Sequence, residues 1–481
     1  MNFENIKNIH FVGIGGIGMS GIAEILSERG LRVSGCDLKR SAGTDLLEQR
    51  GVPIFTGHDA AHLDGVDAVV VTAAVRGENA EIAAAARRGI QVIPRKEMLG
   101  ALADEKRTVG VSGTHGKTTT TAMIALILEE AGLDPSVLVG GILRNIGSNA
   151  RSGRGDVFVV EADEYDRTFH HLHPQVAVVT NIEADHLEYY GSFENIVEAF
   201  RIFVDGLRPG GLLIGCVDDP AVERLLDEVG GGEAILPVPT DKIGGGQAIL
   251  PVPTDRIVRP PLRVLRYGLG PRAELAARGL KFHERGSAFE VEGVGFCKLF
   301  VPGEHNVRNA LAAIGVAREL GVAPHVIATA LSKFLGVDRR FQILGDYAGA
   351  LVVDDYAHHP TEIRATLDAA RSGYPKRRIV ALFQPHLYSR TRDFAREFGE
   401  SLGQADVAIV APIYAAREKP IEGISARLIA DASARVEFLD RSNAEIVNEL
   451  RRRLEPNDVF IAMGAGDVHE IAEALVRGET N

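Results

Sequence analysis

Tryptophan is absent from this 481-residue chain, and cysteine occurs only three times. Cys36, Cys216 and Cys297 are odd in number and far apart, so neither a disulfide framework nor a zinc site is indicated. No apolar run approaches the roughly 18 residues that cross a bilayer, and no secretory leader is apparent. These absences argue against membrane-embedded and disulfide-stapled classes and lead to the expectation of a cytoplasmic enzyme. Basic charge is not in excess either, since the formal net charge is −12. That disfavours a general nucleic-acid binder while leaving room for local basic pockets that hold phosphates. Small molecules are the expected partners, with no nucleic acid and no membrane. At about 150 residues per domain, the length suggests roughly three domains.

The most informative segment present is Gly110-Val111-Ser112-Gly113-Thr114-His115-Gly116-Lys117-Thr118, which follows the strand-like Arg107 to Val109 and opens a helix-like run from Thr119 to Ala131. Backbone N–H groups there suit a nucleotide's phosphates, Lys117 reaches β/γ oxygens, and the Thr118 hydroxyl can ligate Mg²⁺. The strict GxxxxGK[ST] pattern fails by one place, because its first glycine would fall on Val111. A glycine-rich turn with a surface lysine is the plain alternative. As a loop lysine, Lys117 is expected to be exposed and to contribute little to stability.

Upstream, Ile6 to Val12 reads as a buried strand, Ile17 to Arg29 as a helix, and Arg32 to Cys36 and Ala68 to Thr72 as further strands. The turn Gly13-Ile14-Gly15-Gly16-Ile17-Gly18 is a GxGxxG, and Asp37 follows at the end of the second strand, where it is placed for a ribose or base contact. NAD is the default ligand of such a turn, although a UDP diphosphate satisfies a helix N-terminus equally well.

In the middle of the chain, strands over Asp156 to Val160 and Gln175 to Thr180 deliver Glu161 and Asn181, with Glu183, Asp185 and His186 just beyond. Ligands of open parallel sheets bind past the strand C-termini, so these residues and the phosphate loop can converge. Glu161 and His186 are candidates for a divalent ion, or simply a loop cap and a surface histidine. After short strands over 289–291 and 298–301, His305, Asn306 and Asn309 precede a helix over 310–320, as N-terminal caps or as adenine contacts.

A tandem repeat separates these parts. Residues 230–243 and 244–257 match at 12 of 14 positions, and their triple glycines and Pro-Val-Pro segments favour an extended loop without a catalytic role. The last block alternates strands (351–353, 378–383, 407–411, 459–462) with helices (361–371, 390–402), a second doubly wound unit. Polar clusters follow its strands at Asp354 to Pro360 and Gln384 to Arg392, with Arg339 and Arg340 upstream. His358-His359-Pro360 suggests a metal, a general base or a structural turn.

In order along the chain, GIGGIGMSGIAE from Gly13, GTHGKTTT from Gly113, EADEYD from Glu161, TNIEADHLEYY from Thr180, HNVRNA from His305, DYAHHPTEI from Asp355 and FQPHLYSRTRDF from Phe383 resemble the Mur ligase family over nearly the whole chain. The resemblance implies a three-domain α/β architecture. It comprises a Rossmann-like UDP-sugar domain over 1–106, a P-loop ATPase domain over 107–337 that carries the repeat loop 230–257, and a Rossmann-like domain over 338–481 that binds the amino acid and completes the ATP site. The implied activity is ATP-dependent joining of L-alanine to the lactyl carboxylate of UDP-N-acetylmuramate in peptidoglycan synthesis, with Mg²⁺ or Mn²⁺, by a monomer or weak homodimer.

By the same resemblance, Gly15, Gly16, Gly18, Met19 and Asp37 contact the UDP-sugar. Gly113, Thr114, His115, Gly116, Lys117, Thr118 and Thr119 hold ATP phosphates, and His305, Asn306, Asn309, Arg340 and Asp355 surround the rest of the nucleotide. Thr118, Glu161 and His186 are implied at metal ions, and Lys117, Glu161, His186, Arg340, His358 and Arg390 in catalysis, with His358 and Arg390 on the alanine carboxylate. The chain departs from many relatives by having Leu387 in place of an arginine, a carboxylate contact that is then either absent or supplied by Arg392. No lysine occurs in Gly191 to Leu207, which fits the alanine-adding type rather than its sister ligases.

Overall fold

The computed structural model describes residues 6–75, 79–230, 262–416 and 418–478. The tandem repeat falls outside the described residues except for Gly230, which ends the helix Pro220–Gly230. Three sheets organise the chain, and their central strands are short apolar runs buried on both faces.

The first sheet contains β1 (Asn8–Val12), β2 (Arg32–Asp37), β3 (Ile54–Thr56), β4 (Ala68–Val71) and β5 (Gln91–Pro94), all parallel in the order 3-2-1-4-5. Alternation along β1 sends Ile9 and Phe11 into one buried layer and Val12 into another, the pattern of a strand covered on both faces. The crossover helix Ile17–Glu28 is clamped onto the next sheet. Ser148 Oγ donates to the buried Glu24 at 2.8 Å, and Asn149 Nδ2 donates to Ile17 O at 2.7 Å. Contact is so close that a Cβ on Gly21 would lie 2.3 Å from Leu138 Cδ1.

The second sheet contains β6 (Arg107–Ser112), β7 (Ser136–Leu143), β8 (Ser148–Arg151), β9 (Val157–Glu161), β10 (Val176–Val179), β11 (Leu212–Cys216), β12 (Arg263–Gly268), β13 (Leu275–His283), β14 (Gly286–Val291) and β15 (Gly295–Leu299). Its order is 15-14-13-12-11-10-6-9-7-8, with β6 flanked by β10 and β9 in parallel. The loops after β6, β9 and β10 therefore open at one edge of the sheet. Two helices start earlier than expected: the phosphate-loop helix spans Lys117–Glu130, and the next site helix spans Glu304–Glu319. His305, Asn306 and Asn309 thus lie in helical turns rather than before the helix, and Gly303, at φ 97°, is the cap.

The third sheet contains β16 (Gln342–Tyr347), β17 (Ala350–Asp355), β18 (Arg378–Phe383), β19 (Val407–Val410), β20 (Val436–Phe438) and β21 (Asp458–Met463), in the order 16-17-21-18-19-20. All neighbours are parallel except the edge strand β16. Helices Pro360–Gly373 and Tyr388–Leu402 follow β17 and β18 and carry the polar clusters. No helix among the described residues is long and apolar enough to cross a membrane.

Candidate active site

In the first sheet, the glycine turn after β1 is held by β2. Gly13 N and Ile14 N donate to Cys36 O at 2.9 and 3.0 Å, and Gly15 N donates to Asp37 Oδ2 at 2.9 Å. Asp37 therefore braces the turn itself, in addition to any ligand contact. Gly16 caps the following helix without a side-chain partner, the arrangement that presents backbone N–H groups to an anion. Met19 lies in the first turn of that helix. Its side chain is buried in the core and its N–H donates to Gly16 O. A residue absent from the sequence reading takes a place here: a Cβ on Gly18 would lie 2.8 Å from Arg95 Nη1, so this guanidinium covers the turn while Nη2 donates to Thr168 Oγ1 at 2.9 Å.

The phosphate loop after β6 turns at Gly113 (φ 138°) and Gly116 (φ 83°), conformations that favour glycine. A Cβ on Gly116 would lie 2.6 Å from Asn309 Oδ1, so the loop presses against the Glu304–Glu319 helix. Thr114 N donates to Asn181 O and His115 N to Asn181 Oδ1, at 3.0 and 2.8 Å, which fixes the loop to the end of β10. Thr118 Oγ1 donates to Glu161 Oε1 at 3.1 Å, and Gly140 N donates to Glu161 Oε2 at 2.7 Å. Burial raises the Glu161 carboxyl above its ordinary range, against the opposing pull of Lys117.

Lys117 is not the exposed loop lysine expected from the sequence. Its side chain is 12% exposed, and Nζ donates to Gly113 O at 2.6 Å and pairs with the buried Glu164 at 2.8 Å. Burial lowers the ammonium's pKa, but Glu164, Asp163 and Glu161 outweigh it and hold the group charged.

A cavity of about 270 Å³ lies between the second and third sheets. His115, Gly116, Thr118 and Thr119 form its floor, and His305, Asn306 and Asn309 form one side. Arg340 and Asp355 come from the third sheet to cover it. Arg340 sits between two non-glycine residues in left-handed conformation, Arg339 at φ 61° and Phe341 at φ 45°, a local strain that aims its guanidinium inward. Asp355 accepts from Phe341 N and Ala357 N at 2.7 and 2.8 Å, and burial raises it to about 6 despite Arg340. Burial likewise lowers His305 to about 4, assisted by Arg308 and Arg340.

Glu362 was missing from the sequence reading and proves central. It receives Arg340 Nη1 at 3.1 Å and lies 3.4 Å from His115 Nδ1. Glu183 contacts the same imidazole at 3.6 Å and accepts from Thr361 Oγ1 at 2.5 Å. Burial lowers the pKa of His115, yet Glu183 and Glu362 reverse this and raise it to about 9.

Beside the cavity, Arg390 Nη2 donates to Asp185 Oδ1 at 2.8 Å with both side chains under a tenth exposed. His358, implied with Arg390 at the alanine carboxylate, lies close to that guanidinium. Its Nδ1 lies 2.9 Å from Tyr356 O, an acceptor only, so Nδ1 carries the hydrogen and Nε2 the lone pair. Burial, with Arg390 nearby, lowers its pKa to about 4 and keeps it neutral. His186 caps the short helix Leu187–Tyr190 at φ 55°, with its ring 5.1 Å from that of Tyr165. Leu387 is buried at φ 72° and donates its N–H to Tyr414 O. Arg392 is half-exposed and pairs with Asp393 at 2.7 Å.

Residues 8–107 match the Mur ligase family, catalytic domain; residues 111–233 match the Mur ligase middle domain; and residues 339–466 match the Mur ligase, glutamate ligase domain. A UDP-N-acetylmuramate–L-alanine ligase of Salinibacter ruber is 43% identical over 480 residues, covering 98% of this chain and 94% of its own. The chain belongs to the Mur ligase family. A second such Mur ligase, from Rubrobacter xylanophilus, is 45% identical and covers 97% of this chain and 99% of its own. Among solved Mur ligases, the UDP-N-acetylmuramate-alanine ligase of Thermotoga maritima superposes with a TM-score of 0.77 at 30% identity, covering 98% of both chains. A murein peptide ligase from Psychrobacter arcticus superposes with 0.68 at 25% identity, covering 98% of this chain and 99% of its own.

Proposed function

We propose that the chain is an ATP-dependent ligase that joins L-alanine to the lactyl carboxylate of UDP-N-acetylmuramate, releasing ADP and phosphate in peptidoglycan synthesis. The sequence relatives described above bear this activity as their name. The observation that carries the reading is the pairing of two anion-receiving helix starts, at Gly16 and Gly116, on separate sheets, with an arginine-bearing third sheet covering the second. One helix start suits a UDP diphosphate, held by Gly15, Gly16, Gly18 and Arg95. The other suits the ATP phosphates, and His305, Asn306 and Asn309 suit its base end.

The hydroxyl of Thr118 and the carboxylate of Glu161, 3.1 Å apart, are hard oxygen donors that fit Mg²⁺. When bound, that ion neutralises charge on the transferring phosphoryl oxygens. Lys117 supplies a further positive charge from the loop, and Arg340 supplies one from the opposite wall. The lactyl carboxylate attacks the γ-phosphoryl group, giving an acyl phosphate and ADP. The neutral amine of alanine then attacks the acyl carbon and phosphate leaves. Arg390 has donors beyond the one given to Asp185 and suits the alanine carboxylate. Burial of the site between sheets excludes the water that would hydrolyse the acyl phosphate.

Measurement of ADP release with each substrate omitted in turn tests this reading. ADP formation should require UDP-N-acetylmuramate, and positional isotope exchange in ATP should occur without alanine. ADP formation independent of the nucleotide sugar would refute the assignment.

A further inference from the structure

Cys36, which the sequence reading placed alone, lies in a cluster of histidines on the side of the first sheet away from the glycine-turn helix. One ring nitrogen each of His10 and His62, Cys36 Sγ and a Glu81 carboxylate oxygen all lie within 4.8 Å of one another. His10 comes from β1, Cys36 from β2, His62 from the single turn Ala60–Leu63, and Glu81 from the helix Ala80–Arg88. His10, Cys36 and Glu81 are fully buried. Glu81 accepts from Cys36 Sγ at 3.0 Å and contacts His62 Nδ1 at 2.7 Å. The His58 ring stands just outside, 2.9 Å from Glu81 and 3.2 Å from the sulfur.

A hydrogen-bonded carboxylate accounts for most of these contacts but not for all. His10 Nε2 is buried with no hydrogen-bond partner, 3.3 Å from Glu81 Oε1, while Nδ1 is satisfied by Ser34 Oγ at 2.9 Å. An orphaned imidazole nitrogen aimed at a thiol, a carboxylate and a second imidazole is the donor set of a closed tetrahedral site. We propose that His10, Cys36, His62 and Glu81 bind one Zn²⁺ ion that staples the first domain. One thiolate and one carboxylate balance the dication, so the loaded site is neutral and suited to burial. The mixed nitrogen and sulfur set favours zinc over Mg²⁺, which separates this site from the oxygen donors Thr118 and Glu161. Loading releases the Cys36 thiol proton to solvent, and the partly exposed rings of His58 and His62 form the entry.

The test uses the full chain after chelator treatment, titrated with Zn²⁺ and, as a spectroscopic probe, with Co²⁺. About one ion per chain should bind, Co²⁺ should give a thiolate charge-transfer band, and Zn²⁺ should raise the melting temperature. Cys36→Ser should abolish the band and the shift. His62→Ala, at a partly exposed ring, provides a second variant that should weaken zinc binding at least tenfold if Cys36→Ser does not fold. A folded wild-type chain with no thiolate–cobalt band, or a band unchanged in a folded variant, would overturn the proposal.

Discussion

Arg390 and Asp185, 205 residues apart in sequence, meet at 2.8 Å with both side chains buried. The pair bolts the third sheet to the second. Burial raises the pKa of the Asp185 carboxyl, but Arg390 outweighs it and holds the group far below its ordinary range. Removing one partner of such a pair typically costs about 3–5 kcal/mol, because the other charge stays buried. Asp185→Asn should therefore lower stability by that order in denaturant titrations. It should also raise the KM for alanine, as Arg390 loses its fixed orientation. An unchanged alanine KM would separate Arg390 from the amino acid.

Lys117→Ala should reduce turnover by at least about 100-fold, the scale of losing one preorganised charge at a transition state. Contrary to the sequence expectation, it should also destabilise the fold, since Glu164 is left buried without its cation. Lys117→Met combined with Glu164→Gln should recover stability without recovering turnover. Thermal melts and steady-state rates on the same samples distinguish the two effects.

Gly116→Ala adds a methyl group at φ 83°, within 2.6 Å of Asn309 Oδ1. Left-handed backbone at a non-glycine residue costs about 1–2 kcal/mol before any displacement of Asn309. Binding of ATP should weaken while binding of UDP-N-acetylmuramate stays near normal. Calorimetry with each nucleotide separately reads the difference.

Stability should be maximal near neutral pH and fall on both sides. His115 is raised to about 9 from an ordinary 6.5, so its contribution is complete below pH 6.5 and disappears as pH rises through 9. At 1.36 kcal/mol per unit, that limb amounts to about 3 kcal/mol. His305, His358 and His359 are lowered to about 4, so the unfolded chain binds more protons as pH falls from 6.5 and stability drops toward 4. Denaturant midpoints across pH should trace this dome. His115→Gln should flatten the alkaline side alone.

The phosphate loop was legible in the sequence because its glycines, Lys117 and Thr118 are contiguous and act through local backbone geometry. Glu362 was not, because its meaning comes from His115 and Arg340, which only tertiary folding brings near. The packing of Met19 was not legible from the motif either: its side chain turns into the core, since one helix face must pack. Asp37 shared its position between motif and structure, bracing Gly15. Cys36 was read as solitary for the same reason that Glu362 was missed, as its neighbours come from three other segments of chain.

The cavity floor is set by Thr118 and its cover by Arg340, Asp355 and Glu362. A ribosome synthesising this protein therefore finishes the nucleotide loop long before the lid that makes it useful. An incomplete nascent chain has the loop but not the residues that cover it. Completion of the cavity thus waits on residues more than 200 positions after the loop.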